Sequence, residues 1–282
     1  MIDIIQQRLA TYNSRNALEE EQATKEILQE VSLYSLWRGG FFEIGAFQGG
    51  TSLRILHRLP RFSEDLDFIL LQPDSAFDWE RYLKPLIAGL TEFGLESEVL
   101  NEGKMDRNIR EALIKNDSVA NQLNLRFDRS RSSPTLKIKL EIDVNPPAGS
   151  GFTHTYLDFP LDFEIHHQDL PSNFALKIHA LLCRPYLKGR DWYDFNWYIR
   201  QNVQPNVPHL QAALNQAGPW KEQHPTIDIQ WIVEQLQKKI AAIDWKAAVA
   251  DVERFIPLPD RQSLSLWSTR FFSTRAARLT ST

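Results

Sequence analysis

The chain reads as an α/β (α+β) protein, in which a mixed sheet with its helices (residues 1–170) precedes a C-terminal helical domain (171–282). Three stretches carry that reading. Residues 49–71, GGTSLRILHRLPRFSEDLDFILL, combine a Gly-Gly turn, a short amphipathic helix, a Pro break and a strand that opens on two carboxylates. Residues 136–144 alternate strictly, with Lys137, Lys139, Glu141 and Asp143 on one face and Ile138, Leu140, Ile142 and Val144 on the other. That period belongs to a half-buried strand. From Pro171 onward the pattern is helical, punctuated at Pro185, Pro205, Pro208, Gly218-Pro219, Pro257 and Pro259.

Taken in order, residues 1–37 form helices, with Ile4, Ile5 and Leu9 and then Leu18, Ala23, Ile27 and Val31 at helical spacing. Gly39-Gly40 ends that segment, and 41–47 is a short apolar strand leading into the glycine turn. Thr51 or Ser52 caps the next helix, Leu53, Leu56 and Leu59 bury one side of it, and Pro60 stops it. Asp65 to Leu71 is a strand with Leu66 and Phe68 facing inward. Residues 73–77 form a loop, and Asp78 caps a helix running to Phe93, closed by Gly94. Residues 95–100 and 119–127 read as strands, 105–115 as a weak helix and 130–134 as a turn. Asn145-Pro146-Pro147 ends the alternating strand, and 163–166 is the last one. Helices follow at 207–214, 227–243, 245–255 and 263–272. The tail, with Arg270, Arg275 and Arg278, is expected to be disordered rather than engaged with RNA.

Composition narrows the classes. An apolar fraction of 43% with 24% charged residues over 282 positions supports a core that needs no staples. A single cysteine, Cys183, excludes an intramolecular disulfide and suits a reducing cytoplasm. The first residues lack a basic signal-peptide start, no run is long enough for a membrane helix, and no membrane association is expected. A net charge of −4 argues against a broadly cationic nucleic-acid-coating surface. The histidines lack zinc spacing, the glycine turn lacks the Lys-Ser/Thr of a P-loop, and no G-x-S-x-G is present.

The chemistry concentrates at 49–71. Gly49 and Gly50 let the backbone curl tightly near a ligand, and the positive end of the following helix suits phosphate. Side chains two apart on a strand share a face, so Asp65 and Asp67 stand about 7 Å apart on one side. Such a pair converges on divalent ions held about 3.5–4 Å apart. Two solvated acids at a strand end are the bland alternative. Ser63 would touch phosphate or serve as a turn hydroxyl. Further on, Lys177 sits inside a helix that is apolar on most sides and needs an anionic partner. Arg184, seven residues later, shares its face.

GGTSL followed by RFSEDLDF resembles motif I of DNA polymerase β-like nucleotidyltransferases, and in particular the AbiEii/AbiGii toxin family. Gly49, Gly50, Thr51, Leu53, Arg61, Ser63, Asp65 and Asp67 supply that motif in order. The block SNFALKIHALLCRPYLKGRDWYDFNWYI resembles the family's Lys and Asp motifs, carried by Lys177, Arg184, Asp191 and Asp194. The resemblance spans 41–199. It implies a polymerase-β-like nucleotidyltransferase core whose cleft is completed by the helical domain. Asp65 and Asp67 would bind Mg²⁺ (or Mn²⁺), and Gly49, Gly50, Thr51 and Ser63 would hold a nucleoside triphosphate. Lys177, Arg184 and Asp191 would serve the nucleotide, and Asp143 or Asp194 would activate the acceptor. Glu141 competes with Asp143 for the third carboxylate, while a buried Lys177–Asp194 pair would be the structural alternative. The implied activity moves a nucleoside monophosphate to an acceptor hydroxyl, with a tRNA 3′ end as acceptor. It would act as the toxin of a bacterial toxin–antitoxin or phage-defence pair with a cognate antitoxin. The alternatives are transfer to a protein side chain (NMPylation) and a non-catalytic nucleotide- or partner-binding module.

Overall fold

Strict alternation across 136–143 produces strand β5 (Leu136–Asp143), with Leu136, Ile138, Leu140 and Ile142 buried. The structure is a computed structural model and describes residues 2–102, 108–116, 123, 125, 127, 136–221 and 223–280. The chain divides into two compact units. One holds 1–58, 62–146 and 153–167, and the other holds 59–61, 147–152 and 168–282.

The first unit is built on a seven-stranded mixed sheet in the order β3-β4-β5-β2-β1-β7-β6. Its strands are β1 (Gly45–Gln48), β2 (Leu66–Leu70), β3 (Glu98–Glu102), β4 (Ile109–Asn116), β5, β6 (Phe152–Leu157) and β7 (Phe163–Gln168). β2 runs antiparallel to β1 and parallel to β5, and β1 runs parallel to β7. Helices α1 (Ile2–Thr11), α2 (Ala17–Arg38), α3 (Gly49–His57) and α4 (Glu80–Glu92) belong to this unit. α2 is buried along most of its length and packs on α4 and β5.

Several expectations need correcting. The weak helix over 105–115 is instead β4 across its described part, antiparallel to β5 from Ile109↔Asp143 to Asn116↔Leu136. Ala112, Ile114 and Asn116 go under at every second residue, and β5 needs a backbone partner along that edge. The strand expected at 41–47 begins only at Gly45, after a 3₁₀ turn over Phe41–Glu43. The strand expected at 119–127 and the turn at 130–134 lie outside the described residues, apart from Leu123, Leu125 and Phe127, which are not in a strand. β6 was not expected, because its largely exposed Thr-His-Thr-Tyr run offers no apolar alternation.

The second unit is helical, with α5 (Leu170–Cys183), α6 (Gly189–Arg200), α7 (Val207–Gln216), α8 (Ile229–Ala241), α9 (Trp245–Glu253) and α10 (Thr269–Ala277). Asp169, Asn206, Asp228, Asp244 and Ser268 each cap a helix through a side-chain oxygen that accepts a first-turn amide. Its core is aromatic: Phe174 stacks on Tyr198 at 4.4 Å, and Trp245 on Phe272 at 4.2 Å. The helix expected at 263–272 is split into a 3₁₀ stretch (Leu258–Leu266) and α10, with the Ser268 cap between them. The tail is ordered, not disordered, through 280, since Phe272, Ala276 and Leu279 are buried. Among the described residues, no helix is long and apolar enough to cross a membrane.

Candidate active site

The turn and the carboxylate strand of the first unit are one structure. β1 ends at Gln48, whose register partner on β2 is Asp67 and whose side-chain amide donates to the Phe68 carbonyl at 3.0 Å. Gly49 then turns the chain into α3 with φ +77°. A Cβ built on Gly49 would lie 2.9 Å from Asp67 Cβ and overlap the Asp67 carboxylate. Glycine is therefore required at 49 by backbone conformation and by space together. The Asp67 carboxylate lies against the first turn of α3, where the helix dipole favours negative charge.

Helix α3 begins at Gly49, with Gln48 in the capping position, ahead of the expected start. Thr51 and Ser52 therefore do not cap it. The buried Thr51 hydroxyl donates to the Asp65 carbonyl, and Ser52 Oγ donates to the Gly49 carbonyl at 2.8 Å. The Thr51 side chain is thus spent on holding Asp65 in place. Gln29 of α2 clamps the same segment from the other side. Its amide donates to the carbonyls of Ser63 (3.1 Å) and Glu64 (2.8 Å). Asp65, half-buried just before β2, is fixed through its own backbone and that of its neighbours. Sequence reasoning missed Gln29. The available signal was a glutamine between Leu28 and Val31 on a buried helix, where an amide must find partners.

Register decides which acid of β5 stands beside the pair. Asp67 is level with Glu141, and Asp143 is level with Ile69, one pleat further on. Asp143 accepts the Asn145 backbone N–H at 2.9 Å, and burial raises its carboxyl above the usual range. Glu141 accepts from Lys139, which also donates to Glu111 at 2.8 Å. Burial alone would lower the Lys139 ammonium, but its hydrogen bonds to the two glutamates outweigh that and raise it. Lys139 is thus held between two carboxylates.

The second unit holds the other predicted residues in one buried chain of ion pairs. Lys177 donates to Asp191 at 2.7 Å and pairs with Asp194 at 2.9 Å. Arg61 grips both oxygens of Asp194 at 2.6 Å, and Arg184 pairs with Asp191. Asp194 is 0% and Arg61 2% exposed. Burial would raise the Asp194 carboxyl, but Arg61 and Lys177 hold it below its usual range. Asp191 is lowered to about 2, because Lys177 and Arg184 overcome the effect of burial. Lys177 is raised, since the two aspartates outweigh its desolvation. Acceptor activation by Asp194 does not fit this geometry, because both of its oxygens are engaged away from solvent. Arg61 was legible as a motif residue, but its partner 133 positions away was not.

A mixed sheet carrying a glycine turn folded onto an Asp-x-Asp strand is the core of a nucleotidyltransferase. Residues 31–267 match the family described as nucleotidyl transferase AbiEii toxin, type IV toxin–antitoxin system, and the chain belongs to that family. Two solved structures from Helicobacter pylori are similar in chain course. One, described as a candidate nucleotidyltransferase, is 13% identical with a TM-score of 0.43, covering 88% of each chain. The other, JHP933, is 14% identical with a TM-score of 0.48, covering 92% of this chain and 89% of its own. No curated protein matches the chain.

Proposed function

We propose that this toxin-family nucleotidyltransferase moves a nucleoside monophosphate from a nucleoside triphosphate to a hydroxyl of an RNA acceptor, with a tRNA 3′ end as the favoured target, in the cytoplasm of a cell that also makes an antitoxin. The observation that carries this reading is the fit of Gly49 against Asp67, which sets the amino end of α3 beside a carboxylate pair. A triphosphate there would meet backbone N–H groups, and the acids would hold its counter-ion.

Asp65 and Asp67 offer hard oxygen donors, the set that suits Mg²⁺ or Mn²⁺. Among the described residues, no group of three or more His, Cys, Asp or Glu converges to hold an ion alone. That fits an ion which keeps waters and takes one or two carboxylates plus substrate phosphates. When bound, such an ion would neutralise charge on the phosphates. Glu141, level with Asp67, is the better third carboxylate and would orient the acceptor hydroxyl, leaving Asp143 to the turn. Glu141 takes the hydroxyl proton as that oxygen attacks the α-phosphorus, the bond from phosphorus to the bridging oxygen breaks, and pyrophosphate leaves. In the second unit, Lys177 positions Asp191 and Asp194, and Arg184, whose side chain keeps 25% exposure, is the network member able to meet a phosphate.

The test is a transfer assay with Mg²⁺ or Mn²⁺, each α-labelled nucleoside triphosphate in turn, and bacterial RNA plus protein. Label on tRNA-sized RNA, lost in Asp65→Ala, is the expected result. Label on protein instead would overturn the acceptor. Nucleotide binding without any transfer would overturn the enzyme reading.

A further inference from the structure

From Arg254 to the C-terminus the sequence holds five arginines and one acid, Asp260. Folding gathers two of them with Arg200 at the end of α6. Burial first, and then the charges of Arg278 and Arg200, lower the Arg275 guanidinium. Among the described residues, none of Arg200, Arg275 and Arg278 forms an ion pair. Arg275 lies 4.9 Å from the centroid of the Phe271 ring. Like charges held together without counter-charges cost stability, and a cluster on a docked helix cannot disperse.

A cavity of about 220 Å³ opens beside these arginines, framed by α6, the 3₁₀ stretch and α10. Trp197, Trp267 and Phe271 line it along with Arg200 and Arg275. Trp267 is set edge-on against Phe272 at 5.1 Å, so its ring is fixed before any ligand arrives. Asn196 also lines the cavity, and its side-chain oxygen is buried without a hydrogen-bond partner. Flat aromatic walls, an orphan acceptor and unpaired guanidinium groups match a base with its flanking phosphates. The volume is below the roughly 300 Å³ at which small-molecule pockets begin, and so suits one ring rather than a whole nucleotide.

We propose that this cavity and its arginines bind a single-stranded RNA segment, with one base against Trp197 and Trp267, an exocyclic or ring N–H donated to Asn196, and neighbouring phosphates on Arg200, Arg275 and Arg278. The inference rests on the RNA-acceptor reading and gives that acceptor a foothold in the helical unit. A duplex is excluded by shape, because its bases are stacked and paired.

The experiment measures binding of a short fluorescent oligoribonucleotide by anisotropy across a salt series. It uses the full chain in the Asp65→Ala background, without nucleotide. The triple variant Arg200→Gln/Arg275→Gln/Arg278→Gln should bind roughly tenfold more weakly, with the salt slope reduced by about 2, since each single-strand phosphate contact contributes about 0.7. Asn196→Leu should weaken binding and leave the slope unchanged. A triple variant that unfolds at the wild-type temperature yet binds RNA with unchanged affinity and slope overturns the proposal. Equal competition by duplex RNA, or displacement by an acidic polypeptide at equal charge, also overturns it. RNA held by the arginines but never labelled in the transfer assay would remove the acceptor reading and leave this site standing. RNA labelled by a triple variant of undiminished affinity would do the reverse.

Discussion

Gly49 and Asp67 occupy adjoining space, so that the smallest side chain at 49 would strike the carboxylate expected to hold a metal ion. The turn is therefore shaped for that acid as well as for its own positive φ. Gly49→Ala should cost about 1–2 kcal/mol from left-handed backbone strain alone. Transfer should fall further than stability does, because the methyl pushes Asp67 away from its place. Thermal unfolding and the transfer assay on the same preparation check this. Activity near the wild-type level would show that Asp67 does not need its present position.

The register of β2 against β5 sets Glu141 level with Asp67, whereas the sequence reading favours Asp143 as the third carboxylate with Glu141 as its competitor. Glu141→Gln should reduce transfer by about 10² or more, the scale of a lost acid–base group, with little change in unfolding temperature. Asp143→Asn should keep transfer within a few-fold and lose only part of a turn hydrogen bond, about 1 kcal/mol. Single-turnover rates under saturating nucleotide distinguish the two. The opposite ranking would return the third-carboxylate role to Asp143.

The glycine turn, the Asp-x-Asp strand and the alternation of β5 were legible because each is a local pattern that a few neighbouring residues enforce. What was not legible is long-range. Strand register between β2 and β5 depends on how two distant segments slide, so Glu141 could not be preferred over Asp143. Arg61 joins Asp194 across 133 positions, and Gln29 reaches Ser63 across 34. β4 was misread because its Glu-Ala-Leu-Ile-Lys run suits a helix, and only the exposed edge of β5 makes it a strand. The tail was misread because its arginines hide an apolar stripe of Phe272, Ala276 and Leu279.

Gln29 is a positioning residue whose loss should be felt at Asp65. Gln29→Leu leaves the Ser63 and Glu64 carbonyls without their donor, which costs about 1–3 kcal/mol for buried groups. Transfer should fall, with the apparent affinity for the divalent ion weakened more than that for RNA. Titrating metal against rate at fixed nucleotide reads this directly. A variant with reduced stability but an unchanged metal dependence would confine Gln29 to the fold.

His57 at the end of α3 gives the first unit a mildly acid-sensitive element. Burial, with a smaller contribution from His167 5.8 Å away, lowers its imidazolium to about 4 from the ordinary 6.5. The unfolded chain thus takes up the proton before the folded one. Stability is complete above about pH 6.5 and declines as pH falls towards 4, by about 3 kcal/mol in all. His57→Gln should flatten that part of the profile in urea titrations at successive pH values. A wild-type curve already flat between pH 6.5 and 4 would contradict the assignment.

The Arg61–Asp194–Lys177–Asp191–Arg184 chain should respond to single and paired substitutions in opposite ways. Arg61→Met strands the Asp194 charge beside Lys177 alone and should cost about 3–5 kcal/mol, as removal of one partner from a buried pair does. Arg61→Met/Asp194→Leu removes both charges and should recover much of that loss, a coupling that a double-mutant cycle reads from denaturant midpoints. Both aspartates titrate below their usual range, so their contribution is present above the unfolded value near pH 4. It is lost as pH falls through the folded values, about 2 for Asp191. Asp191→Asn should therefore shrink the acid-limb loss of stability, by about 2 kcal/mol at full extent. Strict additivity of Arg61→Met and Asp194→Leu would show that the two residues do not stabilise the helical unit as a pair.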